Sequence, residues 1–171
     1  MPASKKDAYA DIAAITVTET GAATQTTAKF NFPFSITDKV GIILHRIEYY
    51  LRSPVAMNSS GDEVFFGITV NPTIVNIANL ADPLIVDLVN VQRLDMGTAA
   101  SGMLANFPIV RDLNYLPGGG ILVAPNPLYA IIEGKTSTPA MSVLIRMFYT
   151  SVEMGTDEFW QLVQSRRIVG V

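Results

Sequence analysis

The 171-residue sequence predicts an all-β protein, an antiparallel β-sandwich or barrel, and three observations carry that reading. Short runs rich in Val, Ile, Phe and Tyr recur along most of the chain. Gly, Pro and Asn separate them at short intervals, and only the C-terminal end has a well-capped helical pattern. No internal repeat marks a solenoid or a propeller.

Taken in order, residues 1–11 read as a flexible N-terminal arm and residues 12–171 as one β-sandwich domain that includes the closing helix. Ile15 to Thr20 alternates at period two, Gly21-Ala22 opens a polar turn, and AKFNFPFSI resumes with Phe30, Phe32 and Phe34 on one side. Pro33 removes a ladder donor, so this strand lies at an edge or ends there. Val40 to Arg52 is a half-buried strand, with Ile43, His45, Ile47, Tyr49 and Leu51 sharing one face and Leu44, Arg46, Glu48, Tyr50 and Arg52 the other. Asn58 to Gly61 is a polar loop, and Glu63 to Val70 is a strand ended by Asn71-Pro72.

The middle of the chain admits two readings. Asp82 as cap, Pro83 at the first helical position and Gly97 as stop suit a helix over about 82–96, whereas Ile85, Val86, Val89 and Val91 are β-branched and favour a strand. The balance tips towards the strand. Gly97 to Gly102 is a small-residue linker, and Phe107 to Leu113 is extended. After Pro117-Gly118-Gly119-Gly120 come Ile121 to Ala124 and Leu128 to Glu133, and then a long last strand from Met141 to about Met154.

In that last strand Met141, Val143, Ile145, Met147 and Tyr149 share one face, and Leu144, Arg146, Phe148 and Val152 the other. Both faces are largely apolar. A strand of this kind is covered on both sides, and Arg146 must be paired or reach a rim. The helix, at about 156–167, has Thr156 as cap, Asp157 and Glu158 in its first turn, and Arg166 and Arg167 in its last. Phe159, Leu162 and Val163 form its packing stripe, flanked by Trp160. Arg146, Tyr149, Phe159, Trp160, Leu162 and Val163 are therefore the candidate interface or packing residues.

Composition narrows the function. Apolar residues make up 49% of the chain and charged residues 16%, against about 25% charged in an ordinary globular protein. So few charges cannot coat a whole surface, which suggests that neighbouring chains cover part of it. The net charge of -3 gives no electrostatic reason to expect nucleic-acid binding. With no cysteine, stability must come from packing and assembly, not from disulfides. MPASKKDAYADIAA lacks the apolar core of a signal peptide, and no apolar stretch is long enough for a transmembrane helix.

Catalytic constellations are missing from the sequence. His45 is the only histidine, which excludes a zinc site of the usual composition and a Cys-His pair; it reads as a satisfied or interfacial imidazole. No G-x-S-x-G occurs, and the adjacent carboxylates Asp62-Glu63 and Asp157-Glu158 do not converge on one point. Gly134-Lys135-Thr136 lacks the upstream glycine of a phosphate loop, and Pro139 blocks a following helix, so it reads as a hairpin loop. The glycines at 118–120 make a turn or allow a close approach of chains. No enzymatic activity, cofactor or metal is expected.

The Gly/Pro loop PGGG, the PNP break at 125–127, the long strand with Arg146 and Tyr149, and TSVEMGTDEFWQLVQSRR, in which that strand leads directly into an acidic-capped helix, together resemble a small single jelly-roll capsid protein of an icosahedral virus. The resemblance covers about Val40 to Arg167. It implies an eight-stranded sandwich of two four-stranded sheets that assembles with copies of itself or with a second, larger capsid protein, in some members over an internal membrane. It also implies a place in the virion, assembled in the host cell cytoplasm. Lys5 and Lys6 are too few for a basic packaging arm, so direct nucleic-acid binding is not expected. Two other readings stand beside it. One is a carbohydrate-binding β-sandwich module stacking sugars on Tyr49, Tyr50, Tyr115, Tyr129 or Trp160. The other is a viral spike or tail accessory subunit forming a small closed ring.

Overall fold

A computed structural model describes residues 10–52, 63–74, 76–79, 82–92, 108–125, 127–135 and 140–167. The strands are β1 (Asp11–Thr18), β2 (Thr26–Lys29), β3 (Val40–Arg52), β4 (Glu63–Thr69), β5 (Ile85–Gln92), β6 (Ile109–Asp112), β7 (Ile121–Val123), β8 (Tyr129–Lys135) and β9 (Ser142–Glu153), followed by the helix α1 (Thr156–Arg167). They form two antiparallel sheets. The first runs β1-β9-β3-β6, with β7 also paired to β3; the second runs β2-β8-β4-β5.

Among the described residues the nine strands fill eight lanes, because β6 and β7 share one. β6 pairs with Arg46 to Tyr49, and β7 pairs with Ile42 to Leu44 further along the same edge of β3. The first and last strands pair, as do the second with the eighth, the third with the sixth and seventh, and the fourth with the fifth. This nested pairing across two four-lane sheets is a jelly roll. The fold is thus an antiparallel β-sandwich with a short C-terminal helix, as the sequence predicts.

Alternation places the core between the sheets. Val143, Ile145, Met147 and Tyr149 of β9 point inward with Ile42, Leu44, Ile47 and Tyr49 of β3, and meet Val64, Phe66 and Ile68 of β4 and Ala130 and Ile132 of β8. Of the two largely apolar faces of β9, the one without Arg146 is the inner one.

Strand β3 departs from simple alternation. Its register shifts between Leu44 and Arg46, so His45 is an extra residue at a β-bulge. Ile42 and Leu44 face the core before the bulge, and Ile47 and Tyr49 face it after. The face expected to unite Ile43, His45 and Ile47 is therefore two half-faces, because one inserted residue reverses the parity of everything before it. His45 bonds to the Gly119 carbonyl at 2.7 Å and to Thr150 Oγ1 at 2.9 Å. A carbonyl only accepts, so Nδ1 carries the proton, and in the neutral ring Nε2 accepts from the threonine hydroxyl. The imidazole thereby holds the glycine loop against the sheet. Gly118 and Gly119 have φ of 86° and 75°, and a Cβ on Gly120 would lie 2.3 Å from the Leu44 carbonyl oxygen. Both readings of PGGG, a turn and a close approach, describe this loop.

Other boundaries move by a few residues. β1 opens at Asp11, inside the expected arm, whose residues up to 9 lie outside the described residues. β2 ends at Lys29, before the FNFPF run, whose Phe32 and Phe34 instead pack edge-on against Tyr149 at 5.5 and 6.4 Å. Ile85–Gln92 is a strand, which settles the ambiguous segment as far as residue 92. The 58–61 loop and the 97–102 linker lie outside the described residues. Thr156 is the first helical residue, not the cap. Gly155 takes that position, donating its N–H to Glu158 Oε2 at 3.1 Å, while the Thr156 hydroxyl accepts from Lys39 Nζ at 2.7 Å.

Candidate functional site

Each sheet has an outer face, and the two are finished differently. On the second sheet, Phe65, Leu88 and Ile131 point outward and are covered by Ile74 and Ile77, with Leu84 and Ile85 packed alongside. Gln25 pins this cover: its Nε2 donates to the Ile74 carbonyl at 3.0 Å and to Glu133 Oε2 at 2.9 Å, and its Oε1 accepts from the Ile74 N–H at 3.3 Å. The chain buries this face by itself.

The outer face of the first sheet follows from register. Arg146 of β9 lies between Ala14 of β1 and Glu48 of β3, and Phe148 lies between Ile12 and Arg46. On the far side of β3, Glu48 pairs with Val110 and Arg46 with Asp112 of β6. Four strands thus bring Ile12, Phe148, Arg46, Arg146, Glu48 and Val110 onto one surface.

At its centre is an arginine-glutamate-arginine cluster. Arg46 Nη2 lies 2.6 Å from Glu48 Oε1, and Arg146 Nη1 lies 3.3 Å from Glu48 Oε2, which also accepts from the Tyr50 hydroxyl at 3.0 Å. Both guanidinium groups sit over the Phe148 ring, at 5.6 and 5.4 Å from its centroid. The Glu48 side chain is 7% exposed, against 48% for Arg46 and 36% for Arg146. Two cations flank one sunken carboxylate, and the exposed Asp112 lies across from Arg46, so the charges of this face balance. The apolar residues around it are open: Ile12 is 53% and Val110 42% exposed.

α1 covers only the end of this face. A Cβ on Gly41 would lie 2.8 Å from Met154 Sδ, 3.2 Å from Leu122 and 3.7 Å from Leu162, which locates the helix over the start of β3. The expectation that β9 is covered on one flank by the fold and on the other by the helix or a docked chain is met by α1 at the Val152 end, whereas Arg146 in the middle reaches solvent. Phe159 and Val163 are buried, Leu162 is intermediate, and Trp160 is 44% exposed with its ring 5.9 Å from that of Phe159. Tyr149 points the other way, into the core, at 3% exposure. Of the predicted residues, the structure therefore sets Arg146 and Trp160 on the outside, one on β9 and the other on α1, and gives Tyr149, Phe159 and Val163 to packing.

Two polar features lay outside the sequence reading. Tyr49, fully buried on β3, donates to Asp87 Oδ2 of β5 at 2.7 Å, and Arg111 of β6 reaches the same carboxylate at 3.7 Å and the Leu88 carbonyl at 3.2 Å. This cluster staples the two sheets together along one side. Burial pushes the Tyr49 phenol well above its ordinary range, helped by the Asp87 charge, and burial also raises Asp87 against the opposing pull of the Tyr49 bond and Arg111. Tyr49 is consequently unavailable as a sugar-stacking platform. The second feature is Glu19, 4% exposed, which accepts from the N–H groups of Gly134 at 2.7 Å and Met141 at 2.9 Å and so ties the end of β8 to the start of β9.

Among the described residues no three His, Cys, Asp or Glu side chains gather to hold a metal ion, and no helix is long and apolar enough to cross a membrane. The class that the strand order defines is a jelly-roll β-sandwich. No family model and no curated protein sequence matches the chain. A solved structure similar to it is the X-ray structure of tomato aspermy virus, at 13% identity over 91% of this chain and 85% of that chain, with a TM-score of 0.46.

Proposed function

We propose that the protein is a structural capsid subunit that assembles with copies of itself, or with a second, larger capsid protein, into a viral shell. The observation that carries this reading is the unequal finish of the two outer faces: one is closed by the chain's own residues, and the other leaves Ile12, Val110 and Leu122 exposed around a paired-arginine cluster. A jelly roll is a fold used by capsid proteins, lectins and cupins. Here the space between the sheets is filled by side chains, which suits a building block better than a ligand cup. The only histidine is committed to the glycine loop, which supports a structural and not a catalytic role.

The surface chemistry supports protein contact over genome contact. Apolar side chains with a few paired charges match the composition of subunit interfaces, where arginine and aromatic residues are enriched. The net charge of -3 disfavours packaging of nucleic acid. Proximity to an internal membrane and a virion location belong to the same reading. Sedimentation and electron microscopy of the purified protein test it: ordered particles or oligomers are expected, and a strict 18.5 kDa monomer at micromolar and higher concentration in the presence and absence of candidate capsid partners contradicts it.

A further inference from the structure

The edges of the two sheets differ in what guards them. A free strand edge presents unpaired N–H and C=O groups and accepts another strand unless it is short, broken, charged or covered. β2 has only four residues and ends on the exposed Lys29. The lane of β6 and β7 is split by the loop at 113–120 into pieces of four and three residues. On β5, Asp87 turns its carboxylate inward to Tyr49, and Arg111 donates to the Leu88 carbonyl at 3.2 Å. β1 carries none of these devices. Its eight residues, DIAAITVT, contain no Pro, Gly or Lys, keep a continuous register with β9 and bear one charge, at Asp11.

Parity shows which groups of β1 are free. The Glu19 N–H donates to the Met141 carbonyl at 2.9 Å in the same register, so the odd-numbered residues of β1 address β9 and the even-numbered ones address the open side. Thr20, next in the even series, donates its N–H to Thr26 Oγ1 at 3.2 Å and ends the free stretch. The N–H and C=O groups of Ile12, Ala14, Thr16 and Thr18 have no partner among the described residues, and all four residues are exposed.

We infer that β1 of one copy pairs antiparallel with β1 of a second copy about a two-fold axis normal to the sheet, joining two first sheets into one. Among the described residues β1 is the one unguarded edge, so it is the strand that a copy has to offer, and the pairing satisfies both free edges at once. Such a two-fold keeps the same face outward on both copies, so even residues meet even residues. With Ala14 on the axis, Ile12 lies opposite Thr16 of the second copy and Asp11 opposite Val17, so no like charges face each other. Arg146, across from Ala14 on β9, stays three strand spacings, about 14 Å, from its symmetry mate and is already paired with Glu48. Glu19 is buried and bonded within its own chain. A two-fold contact closes on itself, and the open outer face remains for the further contacts that a shell needs.

The inference rests on self-association, which the shell reading also requires, and quenched hydrogen exchange read by NMR separates the two. In dissociated subunits the amides of Ala13, Ile15 and Val17 should be protected and those of Ile12, Ala14, Thr16 and Thr18 should not. On assembly the second set should slow by about tenfold or more while the first stays protected. Thr16→Pro removes an N–H from the open side and none from the β9 ladder, so the subunit should fold, with circular dichroism as the check, and associate about tenfold more weakly. Thr16→Val keeps the N–H and should associate like the native chain. The chain has no cysteine, so a nitroxide on Ala14→Cys reports the axis: its spectrum should broaden on assembly and sharpen when unlabelled chain is in excess. Particles in which the four amides exchange as fast as in subunits overturn the pairing and leave the capsid reading intact. Protection that appears only when another protein is added overturns the second copy as the occupant. A native chain that never associates removes both.

Discussion

The outer face of the β2-β8-β4-β5 sheet is roofed by Ile74, Ile77, Leu84 and Ile85, whereas the outer face of the β1-β9-β3-β6 sheet has α1 over one end and solvent over its middle. Both faces are apolar enough to need cover. The long β4–β5 connection supplies it for one, and no connection of comparable reach crosses the other among the described residues. On the proposed capsid reading, the difference separates the face that belongs to folding from the face that belongs to assembly. Residues under the roof should govern stability, and residues on the open face should govern association.

The roof gives the largest expected effect. Ile131 is fully buried beneath it, so Ile131→Ala should cost about 3 kcal/mol in urea unfolding, through lost transfer energy and a residual cavity. A loss below about 0.5 kcal/mol would mean that this face is not a true core. Next comes the arginine cluster. Arg46→Gln with Arg146→Gln leaves the sunken Glu48 without a cation and with only the Tyr50 hydroxyl, and stability should fall by about 3 kcal/mol, with recovery when Glu48→Gln is added. Absence of that recovery would show that the two arginines act by packing on Phe148 and not by neutralising the carboxylate.

The pin should be worth less. Gln25→Ala removes three bonds to the cover and its neighbour, and a loss of about 1–2 kcal/mol is expected, together with faster hydrogen exchange at the Ile74 amide. The smallest effect belongs to the open face: Val110→Thr should change subunit stability by no more than about 0.5 kcal/mol while reducing the assembled fraction in sedimentation. Equal effects on both would erase the distinction between the faces.

The sheet-to-sheet staple adds a pH signature. Tyr49 is held protonated in the fold, so its phenol value is raised, and the stability it contributes is complete below the unfolded value of 10.0 and declines as the pH climbs above it. Asp87 is also raised, from 3.8, so its contribution likewise falls as the pH rises through the window above that value. Tyr49→Phe should flatten the alkaline limb of a stability-pH curve. A limb that stays unchanged would place its origin in other groups.

Much of the architecture is legible in the sequence because period-two alternation is a direct consequence of strand geometry. β9 shows this best: alternation groups Val143, Ile145, Met147 and Tyr149 on one face, and that face is the buried one. β3 resists the same treatment, since a single inserted residue at His45 reverses the faces and no local signal in ILHRIEYY announces it. The surface cluster was half legible. Arg146 stands out as a charge inside an apolar strand, yet its partner Glu48 lies 98 residues away and is revealed only by the β3–β9 register. Arg46 and Glu48, two apart on one strand, were the available hint. Glu19 and Asp87 were missed because a lone acid beside a turn or a strand looks solvated until its long-range partners are known.

Side-chain footprinting with hydroxyl radicals, comparing the assembled protein with dissociated subunits, addresses the open face most directly. Labelling of Ile12, Phe148 and Val110 is predicted to drop on assembly, while the already roofed Phe65 and Ile131 remain unlabelled in both states. Unchanged labelling of those three residues in intact particles would contradict the assignment of the first sheet's outer face as the contact surface.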